Sequence, residues 1–365
     1  MPDELRLLFS ALGLYVSFLV WGYLQERLSS TDYRTTLSTI EPNEIFEEQS
    51  LPAKWTFVFV LNCCMAFTSF TISLPFVHFN LGNGTDLKPD IGLAFAAFSN
   101  ALASPFGYFS LRFISYPMLL LVKSCKLVPV MLFLFVLNGK KYNAVQITSL
   151  GLVSIGVALF SCRVHPVALL SGAIVTKRDD DPASNKTLIS LFLVTINVFI
   201  DGYTNAHQDR YRDRKPNVGS FQMMYQINLW QCLYMIIYLG AEVIIHKLNM
   251  IPSSELINAL EFMMKYPVVI RDVAWFSLCG ASGQIFIFYI ITSFGSLMCV
   301  LVTVTRKFFS IFLSNIIFGH AVQWWNWLGV VAVFTGLVAS AKDIYWSKNL
   351  TSDKAAHSVG RRKAD

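Results

Sequence analysis

The stretch GSLMCVLVTVTRKFFSIFLSNIIF, Gly295 to Phe318, places two adjacent cations, Arg306 and Lys307, near the middle of a run that holds no other charge. A second such run, Tyr116 to Leu137, carries Lys123 and Lys126. Each is long enough to cross ~30 Å of hydrocarbon, which takes about 20 helical residues. A Lys or Arg at the bilayer centre costs ~2.5–3.5 kcal/mol on insertion scales, so four cost roughly 10–14 kcal/mol before compensation. Cations retained at that cost face a protein interior, and an anion held between helices is the expected partner.

The rest of the chain is of the same kind. Its 365 residues are 54% hydrophobic and 14% charged, with a mean hydropathy of +0.51, where a soluble domain carries about 25% charged residues. The expected fold is an all-α polytopic membrane protein of ten transmembrane helices, at 5–24, 55–79, 91–111, 114–137, 145–162, 187–206, 219–246, 273–293, 295–318 and 322–341. The N-terminal run has no basic n-region and no cleavage site after it, so it reads as the first helix and not as a signal peptide. The seven cysteines lie in or beside apolar runs without ligand spacing to histidine, so neither a disulfide framework nor a metal is expected. No cofactor is expected either.

An even helix count puts both termini on one side. The side holding the 207–218 loop and the tail after residue 341 is the richer in Lys and Arg, which makes it cytosolic. The net charge of +6 is thereby an orientation signal and gives no reason to invoke nucleic acid.

The polar segment 163–186 divides the chain into a first five-helix repeat, 1–162, and a second, 187–341, followed by a basic cytosolic tail, 342–365. A shift of 180 residues carries Lys126 onto Arg306, Gly139 onto Gly319 and Gly156 onto Gly336. Five helices per repeat is an odd number, so the second copy enters the membrane from the opposite side. Such 5+5 inverted repeats place a substrate site near the bilayer midplane. Residues 251–269 read as an amphipathic surface helix, and Asn83, Asn185 and Asn349 fit the glycosylation pattern but are expected to be unmodified.

Lys123 and Lys126 are one helical turn apart and share a face, while Arg306 and Lys307 are about 100° apart, so that Arg306 is the direct contact and Lys307 flanks it. These four are the candidate phosphate ligands. Arg offers a bidentate fork and Lys a mobile point charge. The carboxylates available as internal partners are Asp201, Glu242 and Glu26, all near span ends and too few for four cations. Neighbouring spans supply candidate lining groups in Asn205, Tyr225, Asn228, Gln284 and Tyr289, with Glu26 beside the first span; membrane helices also use Asn and Gln as interhelical glue. No hydrolytic or redox constellation is present, and an enzyme is not expected.

Several segments are similar to one family. Gly283-Gln-Ile-Phe-Ile-Phe-Tyr289, Phe294-Gly-Ser-Leu297 and Thr303-Val-Thr-Arg-Lys307 resemble signatures of the nucleotide-sugar transporters of solute carrier family 35, subfamily B. So do Lys123-Ser-Cys-Lys126 with Val128-Pro129, Asp201-Gly-Tyr-Thr-Asn205 with Gln208-Asp209, and Leu24-Gln-Glu26. The resemblance covers nearly the whole chain. It implies a drug/metabolite-transporter fold and an antiporter that moves a nucleotide sugar, UDP-galactose or a related UDP-sugar, into the lumen in exchange for a nucleotide monophosphate. It also implies that Lys123, Lys126, Arg306 and Lys307 hold the phosphates. ATP/ADP exchange is the alternative within the same branch, and a non-transporting membrane factor for secretory folding is the alternative outside it. The endoplasmic reticulum membrane is the implied location, with the Golgi as alternative, since the tail Arg361-Arg-Lys-Ala-Asp365 matches a dilysine retrieval signal only at Lys363.

Overall fold

The computed structural model describes residues 3–33, 54–79, 88–110, 122–123, 125–140, 142–161, 182–317, 324, 327–336 and 338–339. These form helices α1 (Asp3–Ser30), α2 (Val58–Phe79), α3 (Ile91–Ser110), α4 (Leu127–Asn138), α5 (Ala144–Ser161) and α6 (Pro182–Arg214). They continue with α7 (Ser220–Lys247), α8 (Glu255–Lys265), α9 (Val268–Phe294), α10 (Ser296–Ile317) and α11 (Trp327–Gly336). No strand occurs among the described residues. Among the described residues, five segments are long and apolar enough to cross a membrane: Asp3–Gln25, Val58–Phe79, Ile189–Arg214, Ser220–Lys247 and Val268–Phe294. Shorter apolar helices stand at the places of the other five expected spans. Asn83, Asn349 and the 361–365 tail lie outside the described residues, as does the side chain of Asn185.

The distribution of side chains is that of a protein solvated by lipid. On α1 the residues Leu5, Leu8, Leu12, Val16 and Leu19 form an exposed stripe, while Ser10 is 2% exposed. Inside, Ser69, Ser73, Ser99, Asn228 and Gln231 are buried, and Gln231 accepts a hydrogen bond from Asn100 at 2.9 Å. Lipid tails exert no hydrophobic drive on helix faces, so the helices associate through close packing and interior polar contacts.

The chain divides into two compact units, each drawn from both halves of the sequence. The first comprises Met1–Tyr108 and His207–Cys299. Here α2 packs on α7 and on α9, and α1 on α9. Phe286 lies over Gly13 and Phe18 over Gly283, so each helix offers a glycine groove to a ring from the other. One end is filled by Tyr33, Trp55, Phe57, Phe262, Tyr266 and Phe276. The amphipathic helix expected at 251–269 is α8, which buries Ala259 and Phe262 in that cluster. Its Glu255 carboxylate accepts the Phe59 and Val60 N–H groups at the start of α2, at 2.6 and 3.2 Å. Burial, opposed by these two hydrogen bonds and reinforced by Glu242, pushes that carboxyl above its ordinary range.

The second unit comprises Phe109–Ala206 and Val300–Asp365. In it α5 and α11 cross at two glycines. A methyl group on Gly156 would lie 2.8 Å from the Gly329 carbonyl oxygen and 2.8 Å from the Val333 nitrogen. One on Gly336 would lie 2.6 Å from the Ser149 carbonyl oxygen and 3.1 Å from the Val153 nitrogen. The contact is reciprocal, because Ser149, Val153 and Gly156 correspond to Gly329, Val333 and Gly336 at the same offset of 180 residues.

Candidate functional site

Lys123 and Lys126 do not lie on one unbroken helix through 114–137, as expected from the sequence. The chain turns at Cys125 and Lys126, and α4 begins at Leu127. Pro129 supplies the reason: it has no N–H to give to the Cys125 carbonyl. That carbonyl instead accepts from Val128 at 3.1 Å, and Cys125 N–H bonds Val122 at 3.1 Å, which tightens the segment into i→i+3 turns. Lys126 remains in the right-handed helical region, φ −55° and ψ −27°, as the residue preceding α4. Its ammonium therefore stands at the amino end of a helix, where the partial charge is also positive.

The partner is on α6. A methyl group on Gly202 would come 2.8 Å from Pro129 Cβ, so α4 and α6 touch backbone to ring at this level. Phe133 meets Phe199 and Tyr203 edge-on one turn further along. That close approach brings Asp201 Oδ2 to 3.5 Å from Lys126 Nζ, with the two side chains 24% and 22% exposed. Lys123 is half-buried in the field of the same carboxylate and of Lys126. Lys126 is thus paired with Asp201, with the Lys123 ammonium in the field of both. Asn205, one turn along α6, is held by donating from Nδ2 to the Asp201 carbonyl at 2.6 Å.

Arg306 is half-buried on α10 of the same unit. The side chains of Lys307 and Glu26 lie outside the described residues. Of the other two candidate carboxylates, Glu242 is engaged elsewhere, accepting the Glu255 N–H at 2.8 Å.

The remaining candidates lie in the first unit and form their own group. Asn228 is 1% exposed; its Nδ2 donates to the Met224 carbonyl and to Gln284 Oε1, both at 2.8 Å. The Met224 bond fixes the amide orientation, because a carbonyl can only accept. Asn228 Oδ1 is thereby buried with no hydrogen-bond partner among the described residues. Three residues away, Tyr225 stacks on Phe70 at 5.2 Å between centroids. Tyr289 is half-buried on α9. Phe70 gave no signal in the sequence, being one of 30 phenylalanines. Among the described residues no three His, Cys, Asp or Glu side chains gather as metal ligands would.

Residues 6–344 match the UAA transporter family. The chain belongs to that family. A protein of Aspergillus fumigatus named UDP-galactose transporter homolog 1 is 34% identical over 362 residues, spanning 93% of this chain and 85% of its own length. One of the same name from Emericella nidulans is 33% identical over 361 residues, spanning 93% and 83%. A solved crystal structure shares the fold with a TM-score of 0.51 at 12% identity, over 91% of this chain and 98% of its own. The family and these relatives are named for transport, and the lipid-facing helices agree with a multi-pass transporter of the UAA family.

Proposed function

We propose that this UAA family member is a nucleotide-sugar antiporter that exchanges a UDP-sugar, UDP-galactose first, for a nucleotide monophosphate across the endoplasmic reticulum membrane. The observation that carries the reading is the Lys126–Asp201 pair at 3.5 Å with Lys123 in its field. Lys123 adds a second positive charge there, charge that a phosphate can neutralise. Asp201 serves as the stand-in counter-ion of the empty carrier, and the incoming phosphates take the lysines from it, with Arg306 adding a bidentate fork. The names of the relatives support the sugar nucleotide as cargo.

Taken by itself, the first unit offers a hydrogen-bond acceptor at the buried amide pair Asn228–Gln284 and an aromatic face at the Phe70–Tyr225 stack. The reciprocal glycine crossing of α5 and α11 supports the inverted repeat, since contacts i to j and j to i at one sequence offset are the mark of a local two-fold axis. Alternating access then follows from rocking of two repeats about a bound anion. An empty carrier resists occluding excess positive charge in low dielectric, which favours exchange over one-way flow.

Counterflow in proteoliposomes tests this. Vesicles preloaded with UMP are offered labelled UDP-galactose, UDP-glucose and ATP in turn, and saturable UDP-galactose uptake is expected. Uptake of ATP alone would replace the sugar cargo with ATP/ADP exchange. Absence of both uptake and nucleotide-dependent thermal stabilisation would leave a non-transporting membrane factor.

A further inference from the structure

The joint between α9 and α10 is held by two side chains of α6. Gly295 links the helices at φ 97° and ψ 161°, a region essentially restricted to glycine. A methyl group there would also meet Arg212 Nη1 at 2.9 Å. On one side of this residue, Arg212 Nη1 donates to the Ile291 carbonyl at 2.9 Å, in the last turn of α9. On the other, Asp209 Oδ1 accepts the N–H of Ser296, the first residue of α10, at 3.0 Å. The two side chains pair with each other at 3.2 Å, and Asp209 is 1% exposed. A cation thus sits on the carbonyl end of one helix and an anion on the amide end of the next, each opposite the matching end of a helix dipole.

The same two helices carry charged groups of the candidate site. Asp201 lies eight residues before Asp209 on α6, about 12 Å along the axis, and Arg306 ten residues after Ser296 on α10, about 15 Å along its axis, at 1.5 Å per residue.

We propose that Asp209 and Arg212 are positioning residues, a clamp that fixes how α10 leaves the Gly295 joint and thereby the depth at which Arg306 is presented to its anion. Neither touches the transported ligand. The transport half of this inference rests on the phosphate-binding reading of Arg306; the joint half does not.

Hydrogen exchange of the full-length protein in nanodiscs, read by mass spectrometry, addresses the joint directly. Asp209→Ala is expected to speed exchange of the 291–299 segment about tenfold or more, as loss of a charged hydrogen bond would, with the 223–239 segment of α7 unchanged. Asp209→Asn, which keeps an acceptor for the Ser296 N–H, should speed it less. Arg212→Lys and Gly295→Ala break the clamp from its other sides and serve if Asp209→Ala does not fold. In counterflow the clamp variants should raise the KM for UDP-galactose about tenfold at equal expression, again the size of one charged hydrogen bond. Unchanged exchange at 291–299 or equal acceleration in α7 would overturn the clamp, and an unchanged KM in a carrier that Arg306→Ala inactivates would overturn its action on Arg306. An Arg306→Ala protein that still transports would instead overturn the phosphate reading, leaving exchange at 291–299 to decide the joint.

Discussion

Charge is balanced differently in the two compact units. In the first, Asp272, Asp209 and Asp90 each have several donors. Asp272 lies 3.5 Å from Arg27 and 3.7 Å from Arg271 and accepts the Tyr33 hydroxyl at 3.2 Å. Asp209 is closed by Arg212 and the Ser296 N–H. Asp90 is bonded by Lys215, by the Tyr211 hydroxyl at 2.7 Å and by the Gly92 N–H at 2.8 Å. In the second unit Lys126 lies 3.5 Å from Asp201, and Lys123 stands in the field of both. Asp272 and Asp209 are 5% and 2% exposed, whereas Asp201 is 24% exposed. These two acids of the first unit are deeper and multiply bonded, while the more exposed Lys126–Asp201 pair with a second ammonium nearby is what the proposed phosphate site requires.

The sharpest way to break this contrast is Lys126→Ala. Counterflow should fall about 100-fold, the loss of a charge-assisted contact made with the cargo's phosphate, while the melting temperature in detergent stays near that of the parent. A large fall in melting temperature with transport intact would make the lysine structural. Next in size is Asp201→Asn, which removes the competitor for the two ammonium groups. Nucleotide binding by thermal shift should tighten several-fold, roughly 1 kcal/mol for a lost competing pair, and turnover should slow because the empty carrier loses its counter-ion. Weaker binding would mean that Asp201 orients the lysines instead of opposing the cargo.

The first unit should respond in the opposite sense. Asp272→Asn leaves Arg27 and Arg271 without their shared carboxylate and is expected to cost about 1–3 kcal/mol of stability with the KM unchanged; a raised KM at equal stability would place Asp272 with the cargo site. The smallest effect is a pH dependence at Asp90. Burial alone would raise this carboxyl, but hydrogen bonds from Lys215, Tyr211 and Gly92 outweigh it and hold it below its ordinary value. A depressed carboxyl stabilises the fold above the unfolded value of about 3.9, and that contribution is lost as pH falls through the lower folded value. The melting temperature of Asp90→Asn should therefore lie below the parent's at pH 6 and converge on it below about pH 4, the ordinary carboxylate range. A constant difference at both pH values would assign the effect to packing.

The cations of the candidate site were legible in the sequence. Four cations in apolar runs cannot be accommodated without anionic partners, so Lys123, Lys126, Arg306 and Lys307 stood out on energetic grounds alone. The candidate lining residues were less legible, because an Asn or Gln in a membrane helix is equally suited to bind another helix, and Asn228 does donate to Gln284. The Asp209–Arg212 clamp was written in the sequence only as an i,i+3 acid and base at the end of a helix, a pattern that does not say whether the pair faces solvent or a neighbouring joint. Phe70 carried no mark at all.

Composition and hydropathy by themselves determined that this chain is helical, lies in lipid and carries cations that need partners, because those conclusions follow from transfer energies summed along the chain. The offset of 180 residues was also in the sequence. Which acid answers which base was not, since that depends on two helices approaching closely enough to set a carboxylate beside an ammonium. Gly202 against Pro129 decided it for Asp201 and Lys126. The same proline, lacking an N–H, turned an expected continuous span into a turn followed by a helix. Such contacts act between residues dozens of positions apart, and only the tertiary structure brings them within hydrogen-bonding range.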